Sequence, residues 1–260
     1  MKLEAKNIYF NFGNTLILEN LSLDIPKNKI SIILGPNGCG KSTLLKILAR
    51  LYKPNSGKVL LDGQDINQAS SKELAKKLSL MVQSPEIPED ITVKDLIFFG
   101  RHPYQKLFSR TDQRDIDAVE RAISITRLTG LESRYLHQLS GGQRQRAWLA
   151  MAISQETEIL LLDEPTTYLD LHYQFEILDL LKELNEKKKT TIVIVLHDLN
   201  LASLYADYLF ILNKGLLHSE GVPSECLSSK LIENIFKIRV NKVKSVNENP
   251  QFNFYSAYIS

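Results

Sequence analysis

The chain has 260 residues, of which 43% are hydrophobic and 24% charged, and its formal net charge is +2. This composition is typical of a globular protein with a sizeable core. The nearly balanced charge argues against a nucleic-acid partner, whose phosphates would require basic clusters. Two cysteines, Cys39 and Cys226, are too few for a disulfide framework or a cysteine metal cluster. The amino terminus lacks the apolar stretch of a signal peptide, and no apolar run approaches the roughly 18 residues that span a bilayer, so we expect a cytoplasmic location.

The front of the chain predicts a small antiparallel sheet. Residues 1–29 and 57–65 have the pattern of short strands joined by tight turns, and Asp62-Gly63 is typical of a hairpin turn. Short apolar runs predict strands at residues 30–34, 59–61, 78–82, 159–162 and 192–196. Helical patterns lie between them, at residues 43–50 and 172–186. Strands that alternate with helices predict an α/β domain with a largely parallel sheet.

The middle of the chain has almost no strand pattern and predicts helices at residues 93–100, 112–126 and 142–152. We therefore expect a single domain with three parts. Residues 1–85 and 154–225 form the α/β core with its antiparallel β-subdomain, residues 86–153 form an inserted α-helical subdomain, and residues 226–260 form a C-terminal extension. Within that extension, residues 237–260 favour a short strand pair packed on the core over a partner contact.

A glycine-rich stretch lies between the strand at 30–34 and the helix at 43–50. In that context the pattern G-x-x-x-x-G-K-[ST] indicates a nucleotide site. Its residues are Gly35, Pro36, Asn37, Gly38, Cys39, Gly40, Lys41, Ser42 and Thr43. The glycines let backbone N–H groups point at phosphate oxygens, and the helix start adds its positive dipole end. We expect Lys41 to reach the β- and γ-phosphates of ATP and Ser42 to ligate Mg²⁺. The expected fold class is a P-loop NTPase with a RecA-like α/β core.

A second acidic site follows the apolar strand at residues 159–162, which ends in Asp163 and Glu164. A buried strand does not accept such charges without partners, so its end is where a metal ion and a water are expected. Asp163 is the candidate to help hold Mg²⁺. Glu164 is the candidate general base that polarises the attacking water.

Kinases, GTPases, helicases and transporters all carry P-loops, and the segment Leu139-Ser140-Gly141-Gly142-Gln143 decides among them. It opens a helix about twenty residues before the acidic strand, where a serine hydroxyl and glycine N–H groups would form a second anion site. With these motifs, roughly residues 1–225 resemble the ATP-binding cassette (ABC) family.

This resemblance implies that two copies form a head-to-tail dimer with two sandwiched ATP molecules. The γ-phosphate on the P-loop of one copy would be capped by the other copy's Ser140, Gly141, Gly142 and Gln143. Single residues take roles by the same matching: Phe12 would stack on adenine, Gln83 would sense Mg²⁺ and the attacking water, Asp170 would link the two sites, and His197 would contact the γ-phosphate. Two positions depart from the family pattern, with Tyr168 where a small residue is commoner and Val82 where proline often precedes the glutamine.

Finer resemblance, carried by residues 100–104, 143–152 and 166–170, points to ATP-binding subunits of iron–siderophore importers. It implies integral membrane permease subunits as partners, a substrate-binding protein as an indirect partner, and a peripheral position at the cytoplasmic face of the membrane. The alternatives are an importer of haem, cobalamin or metal ions, an exporter subunit, a soluble ABC protein of translation or DNA repair, and a catalytically silent cassette. Lys41, Asp163, Glu164 and His197 argue against the last of these.

Overall fold

The computed structural model describes residues 1–83, 90–105, 112–243 and 250–257. The strands in chain order are β1 (Leu3–Phe12), β2 (Thr15–Ile25), β3 (Ile30–Leu34), β4 (Ser56–Leu61), β5 (Gln64–Asp65), β6 (Leu78–Met81), β7 (Ile159–Asp163), β8 (Thr191–Val195), β9 (Tyr208–Asn213), β10 (Leu216–Gly221), β11 (Ile238–Val243) and β12 (Gln251–Ala257). The helices are α1 (Lys41–Leu48), α2 (Ser71–Ala75), α3 (Val93–Phe99), α4 (Gln113–Ile125), α5 (Gly141–Ser154), α6 (Leu171–Lys188), α7 (Leu199–Tyr205), α8 (Pro223–Cys226) and α9 (Ser229–Phe236), with a short 3₁₀ helix at Leu136–Gln138.

The chain divides into two compact units, residues 1–67 with 191–260 and residues 68–190. In the first unit four strands are ordered β10-β9-β3-β8, with β3 parallel to both neighbours and β10 antiparallel to β9. Every residue of β3 and β8 is buried, as expected for parallel strands that are covered on both faces. Since β3 and β8 run in the same direction, Gly35 and His197 follow the same edge of the sheet.

The first unit also holds the antiparallel sheet, ordered β2-β1-β4-β5. The Asp62-Gly63 hairpin turn is confirmed between β4 and β5, and both residues have positive φ, 50° and 80°, as a type I′ turn requires. The prediction of short strands for residues 1–29 is wrong, because β1 has 10 residues and β2 has 11. Register shifts interrupt their pairing, and Asn7 and Asn20 take positive φ there, so the chain bends without ending the strands.

The second unit pairs β6 with β7 in parallel and packs α3, α4 and α5 against one another. Gly100 ends α3 so close to α5 that a Cβ there would lie 2.2 Å from the Met151 carbonyl oxygen. Arg101 follows, with 4% of its surface exposed, and donates to the Asp115 carboxylate at 2.9 Å and to the Ser154 carbonyl at 2.7 Å. This buried pair connects the end of α3 to α4 and α5.

The tail forms the predicted strand pair, in which β11 and β12 run antiparallel. The helices at 43–50, 93–100, 112–126, 142–152 and 172–186 are each present with small shifts at their ends, for example α1 beginning at Lys41. No helix of residues 1–83, 90–105, 112–243 or 250–257 has the length and apolarity to cross a membrane. The predicted α/β architecture with an antiparallel β-subdomain is confirmed.

Candidate functional site

The glycine-rich loop turns sharply between β3 and α1 because three glycines take positive φ. The values are 154° at Gly35, 76° at Gly38 and 102° at Gly40. A Cβ on Gly35 would lie 2.3 Å from the Leu212 carbonyl oxygen. The loop therefore lies directly on the neighbouring strand β9, which no larger residue at Gly35 would allow.

Lys41 points back into this loop from the first turn of α1. Its ammonium donates to the carbonyl of Gly35 at 2.8 Å and to that of Pro36 at 3.1 Å, and only 5% of the residue is exposed. Gly40 is the N-cap and supplies no side-chain cap, while Ser42 and Thr43 lie half-buried in the same first turn. A buried cation beside a helix N-terminus is suited to bind a polyanion.

Cys39 lies inside the loop, 4% exposed. Burial raises the pKa of its thiol, an effect that the nearby Lys41 charge partly opposes. The thiol is therefore protonated at neutral pH.

Phe12 ends β1 with 49% of its surface exposed. It is held edge-on by Phe10, with ring centroids 4.9 Å apart, and by Tyr52, at 5.5 Å. Phe10 and Tyr52 stack on each other at 5.6 Å. An exposed ring fixed by two others can act as a platform for a flat ligand. Tyr52 was not predicted from the sequence, since it lies in a loop some 40 positions after Phe12 in the chain.

His197 is exposed just beyond the carboxyl end of β8. The next residue, Asp198, caps α7 by accepting a hydrogen bond from the Leu201 amide at 2.8 Å. The cap fixes where α7 begins and so where the backbone carries His197.

In the second unit, the ends of β6 and β7 bring Gln83 and Glu164 together. The strands are adjacent and parallel, with Met81 opposite Leu162, so the residues that follow them meet at one edge. The Gln83 side-chain amide donates to Glu164 Oε2, and Thr167 Oγ1 donates to the same oxygen at 2.9 Å.

The carboxylates at this edge are both buried. Asp163 is 1% exposed and Glu164 is 8% exposed. Glu164 also has a left-handed backbone, with φ of 52°, so the chain leaves the strand conformation of β7 at this residue. The role of Thr167 as a donor was missed in the sequence, although its place three residues after Glu164 in a turn is compatible with such a bond.

Ser140 begins α5 with a complete capping box. Its hydroxyl accepts from the Gln143 amide at 3.3 Å, and the Gln143 side chain accepts from the Ser140 amide at 3.1 Å. Ser140 and Gly141 are exposed, whereas Gly142 is buried with its Cα facing Tyr173, so that a Cβ there would lie 3.0 Å from the ring. Ser140 and Gly141 thus lie at the surface at the start of α5, where the first N–H groups of a helix have no partner within the helix.

Asp170 is the exposed N-cap of α6, and its side chain makes no capping hydrogen bond. Around it, Tyr168 is 91% exposed with φ of 63°, and Leu171 is 63% exposed. Two large apolar side chains therefore lie at the surface on either side of Asp170 in the chain.

The predicted site residues divide between the two units. The unit of residues 1–67 and 191–260 holds Phe12, the P-loop and His197, and the unit of residues 68–190 holds Gln83, Asp163, Glu164, Asp170 and the segment 139–143. Within each unit the predicted residues gather at strand ends and helix starts. Gln83 and Glu164 are in direct contact, as are Lys41 and its own loop.

The ABC transporter family model matches residues 18–167. The petrobactin import ATP-binding protein FpuD of Bacillus anthracis is 47% identical over 91% of this chain and 86% of its own length. The ferric enterobactin transport ATP-binding protein FepC of Escherichia coli K12 is 46% identical over 92% of this chain and 88% of its own length. These relatives confirm the predicted resemblance to siderophore-importer subunits.

Solved structures agree with the family match. A chain from an ABC transporter in an inward-facing conformation has a TM-score of 0.82 and 29% identity, covering 97% of this chain and 96% of that chain. A bacterial ABC transporter cassette solved as a dimer has a TM-score of 0.75 and 29% identity, covering 85% of this chain and 98% of that chain. The chain belongs to the ABC transporter family, and the predicted ATP-binding cassette is confirmed.

Proposed function

We propose that this chain is the ATP-hydrolysing subunit of an importer for iron–siderophore complexes. The cassette itself is supported by the family match to residues 18–167. The cargo is supported by relatives at 46–47% identity whose names specify petrobactin import and ferric enterobactin transport. The observation that carries the nucleotide site is Lys41, buried against the carbonyls of Gly35 and Pro36 at the start of α1.

ATP binding is assigned to the P-loop and the aromatic platform. Residues 35–43 would wrap the phosphates with backbone N–H groups, and Lys41 would exchange its carbonyl partners for β- and γ-phosphate oxygens. Phe12, held by Phe10 and Tyr52, would stack on adenine. His197, exposed after β8, would contact the γ-phosphate.

Mg²⁺ is assigned to Ser42, Asp163 and Gln83. These residues offer hydroxyl, carboxylate and amide oxygens, which are the donors that Mg²⁺ prefers. The carboxylate of Asp163 is 1% exposed at the end of an apolar strand, an environment in which a counter-charge is favourable. When bound, the ion would neutralise charge on the phosphates during hydrolysis.

Hydrolysis is assigned to Glu164 as the general base. Hydrogen bonds from Gln83 and Thr167 to Oε2 hold the carboxylate in one orientation. A base oriented in advance loses less freedom when it accepts the proton of the attacking water. Gln83, which contacts this carboxylate, would link the core to the helical subdomain, which we assign to residues 86–153.

The complete enzyme is a head-to-tail dimer in this proposal. The start of α5, where Ser140 and Gly141 are exposed, would cap the γ-phosphate held by the second copy. Asp170, between the exposed Tyr168 and Leu171, would lie at the contact between the copies and link the two sites. Closure would act on integral permease subunits, placing the chain at the cytoplasmic face of the membrane, with a substrate-binding protein delivering the cargo.

The test uses cells from which the gene for this chain has been deleted. They should lose uptake of radioactive iron supplied as a ferric siderophore, and the parent gene should restore it. Glu164→Gln should restore none, and the purified variant should bind ATP while its turnover falls about 10²–10⁴-fold, the usual contribution of a general base.

The matched control is Glu158→Gln, the same change at the exposed residue that precedes β7. It should support uptake and turnover at the parent level. Parental turnover by Glu164→Gln would refute the assigned role, and unchanged ferric siderophore uptake in the deletion strain would refute the cargo.

A further inference from the structure

Side chains of α7 hold the C-terminal hairpin of β11 and β12, and the amide of Asn200 makes two of the hydrogen bonds. Asn200 Nδ2 donates to the carbonyl of Phe252 at 3.1 Å, and Asn200 Oδ1 accepts from the Phe252 amide at 2.9 Å. A single residue of α7 thereby satisfies both backbone groups of a strand residue, as a neighbouring strand would do. Ser203, one turn further along α7, donates its hydroxyl to the carbonyl of Pro250.

Apolar burial supports the same attachment. Phe252 is 3% exposed and Val240, on the other strand of the hairpin, is 4% exposed. Ser203 is fully buried although it is polar, which is tolerated because its hydroxyl has the Pro250 partner. The hairpin is therefore a packed part of its unit.

The helix that carries the hairpin, α7, begins at Leu199, two residues after His197. Asp198 caps it, and Asn200 lies three residues beyond His197. The helix α7 also packs against β3, the strand that leads into the P-loop. With only seven residues, α7 is too short to be stable by itself and takes its position from what packs on it.

We propose that Asn200 is a positioning residue for ATP hydrolysis: by fastening the hairpin to α7, it holds His197 where it contacts the γ-phosphate. This inference rests on the proposed function and adds a role for residues 237–260. Asn200 affects the rate of turnover and leaves the affinity for ATP unchanged, because the P-loop and Phe12 bind most of the nucleotide.

The experiment measures ATP turnover of the full-length chain as Asn200→Ala. The kcat should fall about tenfold, within the range that a small misplacement of a catalytic group produces, while KM for ATP stays within about twofold. Asn253→Ala is the matched control, since Asn253 is exposed on β12. It should leave both constants at parent values.

A double-mutant cycle tests the route of the effect. In a His197→Ala background, Asn200→Ala should cause no further loss of kcat, and an undiminished loss there would overturn the proposal. Asn200→Asp keeps the volume but places a carboxylate oxygen against the Phe252 carbonyl, so it should reproduce the loss if Asn200→Ala fails to fold. Amide hydrogen exchange at residues 199–205 should accelerate in both variants.

The outcomes separate the two claims. A parent chain that hydrolyses no ATP would contradict the proposed function. Parental kcat in Asn200→Ala, in a protein whose parent is active, would contradict this inference alone.

Discussion

At the scale of single residues, Ser140 serves local structure and, in our proposal, the second copy's nucleotide. Its capping box has a counterpart at Ser70, which begins α2 by accepting from the Glu73 amide at 3.1 Å. Both serines are exposed N-caps, and both belong to the unit of residues 68–190. The pair therefore allows the structural role of the cap to be separated from the proposed role at the phosphate.

Ser140→Asp should keep the protein stable and abolish its activity. Aspartate caps a helix about as well as serine, so the free energy of unfolding should change by less than about 0.5 kcal/mol. Its negative charge would repel the γ-phosphate, and turnover should fall about 10²-fold or more. Urea unfolding and a steady-state ATPase assay measure the two effects.

Ser70→Asp is the control for that change. It should leave both stability and turnover at the parent level. If the two variants lost turnover equally, the outward-facing start of α5 would have no special part in the reaction.

Motifs predicted most of the residues proposed for the site, but not the contacts that hold them. Lys41 and Glu164 are recognisable because their chemistry requires a cation after a glycine-rich turn and a carboxylate after an apolar strand. The contact of Thr167 with Glu164, and that of Tyr52 with Phe12, depend on the path of a turn and of a loop. The periodicity of apolar residues in the sequence does not predict the path of a turn or of a loop.

At the scale of elements, Arg101 shows that a segment with a recognisable sequence can serve the interior. Residues 100–104 contributed to the resemblance to siderophore importers. In the structure Arg101 is buried on Asp115, and Tyr104 lies under its guanidinium at 3.9 Å and donates to the Gln155 carbonyl at 2.9 Å. These two side chains thus hold α3, α4 and α5 together.

Arg101→Met should destabilise the protein by about 3–5 kcal/mol, because it leaves the Asp115 carboxylate buried without its counter-charge. The comparison is Arg121→Met, which removes a half-exposed arginine paired with Glu156 at 2.9 Å and should cost less than about 1 kcal/mol. Chemical denaturation of both variants gives the two values. Equal losses would show that the burial of the first pair has no energetic consequence.

Element types could be predicted because apolar periodicity is a local property of the chain. The helices at 93–100, 112–126 and 142–152 follow it closely. The lengths of β1 and β2 were wrong because an antiparallel pair can absorb irregular residues as bulges, and Asn7 and Asn20 look like turn residues in the sequence. Whether such a residue forms a bulge or a turn depends on the strand residues that it pairs with, and these are distant in sequence.

At the scale of the whole molecule, the proposed enzyme is two chains. Phe12, the P-loop and His197 belong to one compact unit of the chain, and the segment 139–143 belongs to the other, together with Gln83, Asp163 and Glu164. The exposed Tyr168 and Leu171 supply apolar surface beside Asp170. The family membership was predictable from short motifs, whereas the domain boundaries and the assembly stay predictions, because they depend on long-range contacts and on a second chain.

ATP should make Glu164→Gln dimerise, because bound nucleotide that is not hydrolysed keeps both copies in contact. Analytical ultracentrifugation should then give twice the 29.6 kDa mass of the chain. The double variant Ser140→Asp, Glu164→Gln should bind ATP and remain a monomer.

For the parent chain, the specific ATPase activity should rise with protein concentration, and a rate per chain that is independent of concentration would contradict the dimer.

The position of Lys41 has a consequence for selectivity. Its ammonium group has left bulk water and rests on two carbonyls of its own loop, so a ligand must displace these acceptors to reach the cation. The binding free energy that Lys41 contributes is the difference between its hydrogen bonds to phosphate oxygens and its hydrogen bonds to the loop carbonyls. A neutral ligand offers no such difference, whereas a triphosphate does. The loop therefore selects for ligands with enough negative charge to replace its own carbonyls as acceptors for Lys41.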